Sequence, residues 1–275
     1  MSLHVIFRSC SLNSVHFKER FIPVPKTELI FQCLRSLIVS LHNIQNAGHL
    51  SPACAVPAHA GGTAQAGRMA DITLTVIDDH SSPECVSGIK DILAQCPWQT
   101  EFVPLAESGN NASMKFCYAL ARDSKSELLY LVEDDYLHTL GCVPEMIETH
   151  AYFKEKLTAR KPNPEVALMP VDNLFHYFDE TMFSSPLVLG PARHWRVNYY
   201  SNWSMLIPQE SIVKHWSAWD AFSKYRLDKP ETHEDALLVP LFKEHIYLFT
   251  PVPTLALHVA GERYQSPFSD WKKIW

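Results

Sequence analysis

The chain has no surplus of positive charge: 24 Lys and Arg stand against 30 Asp and Glu, a formal net charge of −6. Binding nucleic acid through its phosphates needs a basic surface, so no nucleic-acid partner is expected. The 7 cysteines are odd in number, widely spaced and form no Cys-x-x-Cys pair. That argues against a zinc knuckle or a disulfide framework, and the thiols are read as reduced and mostly buried. No apolar run approaches the length of a membrane span, so no transmembrane segment is expected. The opening Met1-Ser2-Leu3-His4-Val5 lacks the basic and apolar regions of a signal peptide, and the expectation is a soluble, cytoplasmic protein. Asn111-Ala112-Ser113 and Asn202-Trp203-Ser204 match the glycosylation sequon, which matters only in a secreted chain. What remains, 275 residues with 47% apolar and 20% charged content, is ordinary for one large α/β domain or two small ones.

The most informative stretch is Glu127-Leu128-Leu129-Tyr130-Leu131-Val132-Glu133-Asp134-Asp135-Tyr136. An apolar run without turn residues reads as a strand buried on both faces, as in a parallel sheet. It ends at three consecutive carboxylates. In an open α/β sheet, ligands bind in the crevice outside the carboxyl ends of the strands, so Glu133, Asp134 and Asp135 would be presented there together. Acids so crowded repel one another unless a cation such as Mg²⁺ or Mn²⁺ neutralises them, and a diphosphate would complete that cation's shell. An acidic turn after a core strand is the plainer alternative.

The rest of the chain alternates between strand and helix patterns. His4–Arg8 reads as a first strand, and Ile30, Leu34, Leu37, Leu41 and Ile44 form the stripe of an amphipathic helix. Residues 46–70, rich in Ala, Gly, His and Pro, read as a flexible loop, with too little chain before them for a separate domain. Ile72–Ile77 reads as a strand ending in Asp78 and Asp79, followed by Ser82 as N-cap and Pro83 at the first helical position. Phe102–Leu105 is a short strand, and Asn110 and Asn111 lead into a helix carrying Lys115. Beyond the acidic strand, Pro144 opens a helix and Val166–Met169 is a strand. Residues 172–200 read as irregular and aromatic, Trp203–Ile207 as a strand, and a helix starts at Pro208. Glu231–Asp235 heads an apolar helix, and Thr254–His258 is a last strand.

In the order of these motifs the chain resembles an inverting nucleotide-sugar glycosyltransferase of the GT-A fold, closest in pattern to the large family 2. Leu34-Arg35-Ser36-Leu37 matches the family's helix after the first strand, Asp78-Asp79-His80-Ser81 its Asp-Asp-x-Ser motif, and Asn110-Asn111 its Asn-containing loop. Glu133-Asp134-Asp135 matches the metal-binding "DxD", and Glu234-Asp235 the "ED" that supplies the catalytic base. The first strand departs from the family: Arg8-Ser9-Cys10 stands in place of a Pro-Thr-Tyr-Asn-like motif. The Gln-Arg-x-x-Trp of processive synthases is absent, which points to a single-transfer enzyme.

The resemblance implies one α/β domain with a mixed, mainly parallel sheet. Residues 1–140 would bind the nucleotide sugar and 141–275 the carbohydrate acceptor. It further implies Mn²⁺ or Mg²⁺ held by Asp135 with Glu133 and His258, and donor contacts from Arg8, Asp78, Asp79, Asn110, Asn111, Lys115 and Asp134, with a UDP-sugar favoured. Asp235, beside Glu234, would be the general base. Each residue has a plainer reading. Asp79 suits an Asx turn, Thr232-x-x-Asp235 a capping box, His258 a structural histidine, Lys115 a solvated lysine, and the aromatics between Trp195 and Trp219 either an acceptor platform or core. His233-Glu234 has no second His four residues on, which excludes the zinc-protease helix. A nucleotidyltransferase would show a Gly-rich basic loop after the first strand, and Arg8-Ser9-Cys10-Ser11 has no glycine. A non-catalytic glycan-binding module is the third alternative.

Overall fold

A computed structural model describes residues 1–12, 22, 24–46, 71–178, 185–201, 203–224, 237–259, 261 and 266. The first half alternates strand and helix as the pattern requires: β1 (Ser2–Ser9), α1 (Lys26–Asn46), β2 (Asp71–Asp78), α2 (Pro83–Leu93), β3 (Gln99–Pro104), α3 (Asn110–Asp123) and β4 (Leu128–Glu133). After it come β5 (Tyr136–His138), α4 (Cys142–Thr158), β6 (Glu165–Leu168), β7 (Leu187–Leu189), β8 (His194–Asn198) and β9 (Met205–Pro208). Helices α5 (Gln209–Lys214), α6 (Trp216–Ser223) and α7 (Val239–Glu244) precede β10 (Ile246–Val252) and β11 (Ala256–His258).

Nine strands form one sheet in the order β3-β2-β1-β4-β9-β6-β10-β8-β7, while β5 and β11 pair separately. Only β9 and β8 run against the rest, so the sheet is mixed and mainly parallel, as expected. The chain leaves β1 for β2 and β3 on one side, then returns to β4 on the other. The order therefore reverses at β1, which makes the carboxyl end of the β1/β4 pair a topological switch point.

Side-chain alternation divides the core into two layers. Leu3, Val5 and Phe7 pack on one face with Ile30, Leu34, Leu37 and Leu41 of α1. On the other, Ile6, Leu129 and Leu131 pack against Met114, Cys117 and Tyr118 of α3 and Trp219 of α6. Each such aliphatic side chain, fully removed from water, contributes about 1.5–3 kcal/mol. The Ser82 hydroxyl accepts from the Cys85 N–H, and Pro83 stands at the start of α2, as its sequence dictates. Cys85, Cys96, Cys117 and Cys142 are free thiols.

Several boundaries differ from the sequence reading. Residues 172–200, read as irregular, contain the β7–β8 hairpin. Leu187 and Leu189 of its edge strand are exposed, and His194, Arg196 and Asn198 replace the apolar residues that would have marked β8. The β10 strand was absorbed into the stretch after an expected helix. The helix from Pro208 breaks at His215 into α5 and α6. Trp195 and Trp219 are fully buried and Trp203 nearly so, which makes them core rather than an acceptor platform. Apart from Asn46, the loop expected over 46–70 lies outside the described residues.

Candidate active site

Parallel pairing sets Arg8 directly beside Glu133 at the switch point. The guanidinium donates to the Glu133 carboxylate, to the Asn110 side-chain oxygen and, at 3.0 Å, to the Ser113 hydroxyl. It also lies 4.6 Å from the centre of the Trp203 ring, a cation–π contact. Trp203 has φ 33°, a conformation rarely tolerated by a bulky side chain and one that concentrates at functional sites. Burial raises the Glu133 pKa above the ordinary carboxylate value; Arg8 opposes that rise, Asp135 adds to it, and His258 lowers it.

The end of β2 supplies two buried acids with different employment. Both oxygens of Asp79 accept from the Gly109 N–H, at 3.0 and 3.1 Å, and His80 Nδ1 lies 3.1 Å from Oδ1. Gly109, at φ 111°, takes a backbone conformation that a Cβ would strain. Asp79 thus ties the start of α3 to β2. Asp78 accepts from the Ser81 N–H at 3.1 Å through Oδ2, while its buried Oδ1 has no hydrogen-bond partner among the described residues. A buried carboxylate oxygen without a donor is costly unless a ligand or water supplies one.

The three acids after β4 part company. Asp134 accepts from Lys26 Nζ and, at 2.8 Å, from the Cys10 N–H. Lys26, at the first position of α1, is a site residue the sequence reading missed. Asp135 turns to the small sheet, where His258 Nε2 lies 3.3 Å from its Oδ2 and the Val259 N–H donates to its main-chain carbonyl. The His258 ring stacks on Tyr136, with centroids 4.5 Å apart and planes at 14°. The antiparallel β5–β11 pair, with Tyr136 opposite His258, brings His258 to Asp135 across 123 residues of sequence.

Among the described residues, no group of three or more His, Cys, Asp or Glu could hold a metal ion. Glu133 and Asp134 are engaged by Arg8 and Lys26. Asp135 and His258 fit a two-donor half-site, which suffices for Mg²⁺ or Mn²⁺ when substrate phosphates complete the shell. Asn110 joins the Arg8 cluster. Asn111 is partly exposed and Lys115 exposed, so neither is drawn into the described network. Glu234 and Asp235, the expected catalytic pair, lie outside the described residues.

No family model matches the chain, and no curated protein does. Solved structures similar to it include residues 1–349 of S. aureus TarS in complex with UDP, 13% identical, covering 91% of this chain and 60% of that one with a TM-score of 0.48. The glycosyltransferase GlyE of Streptococcus pneumoniae TIGR4 is 12% identical over 90% of this chain and 45% of its own, with a TM-score of 0.45. The 4-diphosphocytidyl-2C-methyl-D-erythritolsynthase of Anaerococcus prevotii is 9% identical over 99% and 94%, with a TM-score of 0.42. The chain spans 60% of TarS 1–349 and 36% of the longer TarS chain.

Proposed function

We propose that this chain is a GT-A glycosyltransferase that moves a sugar from a nucleoside-diphosphate donor, a UDP-sugar in the favoured case, to an acceptor hydroxyl with inversion. The observation that carries the reading is the convergence of Arg8, Asp78 and the Glu133–Asp135 acids at the switch point, with His258 joining Asp135 from the second sheet. Asp78 Oδ1, buried and open to a donor, suits an N–H of the nucleotide base. Asp135 and His258 would hold Mn²⁺ or Mg²⁺, and such a cation offsets the charge that grows on a diphosphate leaving group. Arg8 and Lys26 neutralise Glu133 and Asp134, which on this reading leaves Asp135, beside His258, as the acid that meets the cation.

In the transfer itself, the acceptor oxygen forms a bond to the anomeric carbon as the bond from that carbon to the diphosphate oxygen breaks. The acceptor proton passes to a carboxylate on the opposite face, the role assigned to Asp235, with Glu234 beside it, on the resemblance alone. The phosphate departs with the electron pair, and the configuration inverts.

A thermal-shift panel of UDP, GDP, CDP and dTDP, each with and without Mn²⁺, tests this on wild type and Asp135→Ala. A ligand at a hundred times its Kd stabilises the fold by about 2.7 kcal/mol. Metal-dependent stabilisation by one nucleotide, lost in Asp135→Ala, is the expected result. No response to any nucleotide would overturn the transferase reading and leave a glycan-binding or structural domain.

A further inference from the structure

We propose that strand β7 is the interface of a two-fold dimer, in which the same strand of a second copy pairs with it antiparallel and joins the two sheets. The sheet ends in β3 on one side and β7 on the other, and the two edges differ in kind. Strand β3, Gln-Thr-Glu-Phe-Val-Pro, presents exposed Glu101 and ends in exposed Pro104. A charge and a proline both block the addition of a further strand. Strand β7 is Leu187-Val188-Leu189 between Pro186 and Gly190, with no charged residue from Ser185 to Gly190. Leu187 is 53% and Leu189 65% exposed. Native sheets protect apolar edges, so one left without protection is an edge that pairs.

The hydrogen-bond phase of the hairpin decides what fits it. Gly190 N–H donates to the Arg193 carbonyl at 2.8 Å, and Val197 N–H to the Pro186 carbonyl at 2.9 Å. Antiparallel pairs exchange bonds at every second residue, so Pro186, Val188 and Gly190 face β8. The N–H and C=O groups of Leu187 and Leu189 therefore point away from the sheet, and they have no partner among the described residues. These two residues flank Val188 symmetrically. With Val188 on a two-fold axis, Leu187 of each copy lies opposite Leu189 of the other, and four N–H···O=C bonds use every outward group. A slip of two residues halves that number, and a slip of one removes the bonds altogether. The edge is thus self-complementary, as a two-fold interface requires.

Side chains add to the backbone pairing. Paired residues share a face of the hairpin, which puts Leu187 beside Arg196 and Leu189 beside His194. The Arg196 guanidinium lies 4.6 Å from the centre of the Tyr177 ring, so Phe178, the next residue and 73% exposed, borders the same patch. Phe178, Leu187 and Leu189 together expose roughly 400 Å² per copy, the size at which an apolar patch on a monomer marks an interaction surface. Doubled, and with the backbone edge added, this comes to about 1,000 Å², the lower limit for a specific interface, so the dimer forms reversibly at micromolar concentration. Charge does not oppose it: β7 carries none, and Arg193 in the hairpin turn is paired with Glu145. None of Arg8, Asp78, Glu133, Asp134, Asp135 and His258 takes part, so the interface stands or falls independently of the transferase reading.

Sedimentation velocity on the full chain from about 1 to 200 µM tests this. The mass is expected to rise from that of one chain to that of two and to stop there. Leu189→Pro removes one outward N–H from each copy while leaving the bonds to β8, and Leu187→Lys sets a charge at the edge. Each should weaken association about tenfold or more with little change in melting temperature, tenfold being the loss of one well-formed hydrogen bond. Val188→Cys gives a second measure. Residues directly opposed in a non-hydrogen-bonded antiparallel pair have Cα atoms about 4.5 Å apart, within disulfide reach. Under mild oxidation Val188→Cys should yield a covalent dimer absent from the wild type, whereas Ser185→Cys, which this register keeps far from its own copy, should not. A single chain at every concentration overturns the proposal and leaves the edge to a strand of another protein, and a mass that climbs past two overturns the closed two-fold. A dimer that neither edge variant weakens, or that Ser185→Cys captures and Val188→Cys does not, overturns it too, because the copies then meet elsewhere.

Discussion

Replacing Arg8 by Met removes the guanidinium from Glu133 while leaving a side chain of similar length over Trp203. The pair is largely desolvated, with side-chain exposures of 12% for Arg8 and 25% for Glu133. Breaking a buried ion pair from one side costs about 3–5 kcal/mol, because the remaining charge is stranded. The quarter exposure of Glu133 and its freedom to take up a proton place this case near the lower end, at about 3 kcal/mol. The loss has a definite pH dependence. Arg8 lowers a Glu133 pKa that burial raises, so without Arg8 the folded-state value climbs further above the ordinary 4.5. Between 4.5 and that folded value the native state binds more protons than the unfolded one, so stability falls as pH rises through the window. The variant should therefore lose the full amount near pH 8 and less near pH 4, where Glu133 is protonated in both states. Adding Glu133→Gln should restore most of the loss, giving a coupling of about 2 kcal/mol in the double-mutant cycle. Urea unfolding at both pH values, compared at unchanged m, measures all of this. A loss below about 1 kcal/mol at pH 8, the range of an exposed pair, would refute the claim that Arg8 neutralises a buried acid at the switch point. So would a loss that does not shrink in acid.

Two further outcomes follow from the packing and the buried histidines. A Cβ added at Gly190 would sit 2.6 Å from Trp195 Cδ1 and 3.2 Å from the Arg193 carbonyl, and Trp195 is fully buried with no room to give way. Gly190→Ala should accordingly cost about 1–3 kcal/mol in urea unfolding, and an unchanged midpoint would show that the β7–β8 turn yields instead. Burial lowers the pKa of His4 to about 4, His150 to about 4 and His138 to about 3. Because these folded-state values lie below the unfolded 6.5, their contribution is complete above that pH and is lost as pH falls toward 4, where the unfolded chain takes up protons that the native chain refuses. A melting temperature that stays flat from pH 7 to pH 5 would contradict that neutral, buried state.

The N-terminal half of the sheet was legible because each of its signals is local. Ser82-Pro83 starts a helix by capping chemistry, and the apolar run before Glu133 can be buried only as an inner strand, so both appear where the sequence places them. The acids at the strand ends were legible for the same reason. Their partners were not. Lys26 neutralises Asp134 across 108 residues, and only the return of α1 over the sheet edge brings them together. Arg8 meets Glu133 because β1 and β4 are neighbours, an adjacency set by the crossover through β2 and β3 and by no feature of either segment. A run of acids in sequence thus suggests one metal cage, while the fold assigns Glu133 and Asp134 to protein cations and leaves Asp135 to His258. Strand β8 was hidden by a different physical cause. Buried polar residues break the apolar alternation from which strands are read, so Arg196 and Asn198, both buried, made β8 look like loop. Polar side chains buried inside a sheet thus erase the pattern that would announce it, which is why the chain was least readable between Asp172 and Asn198.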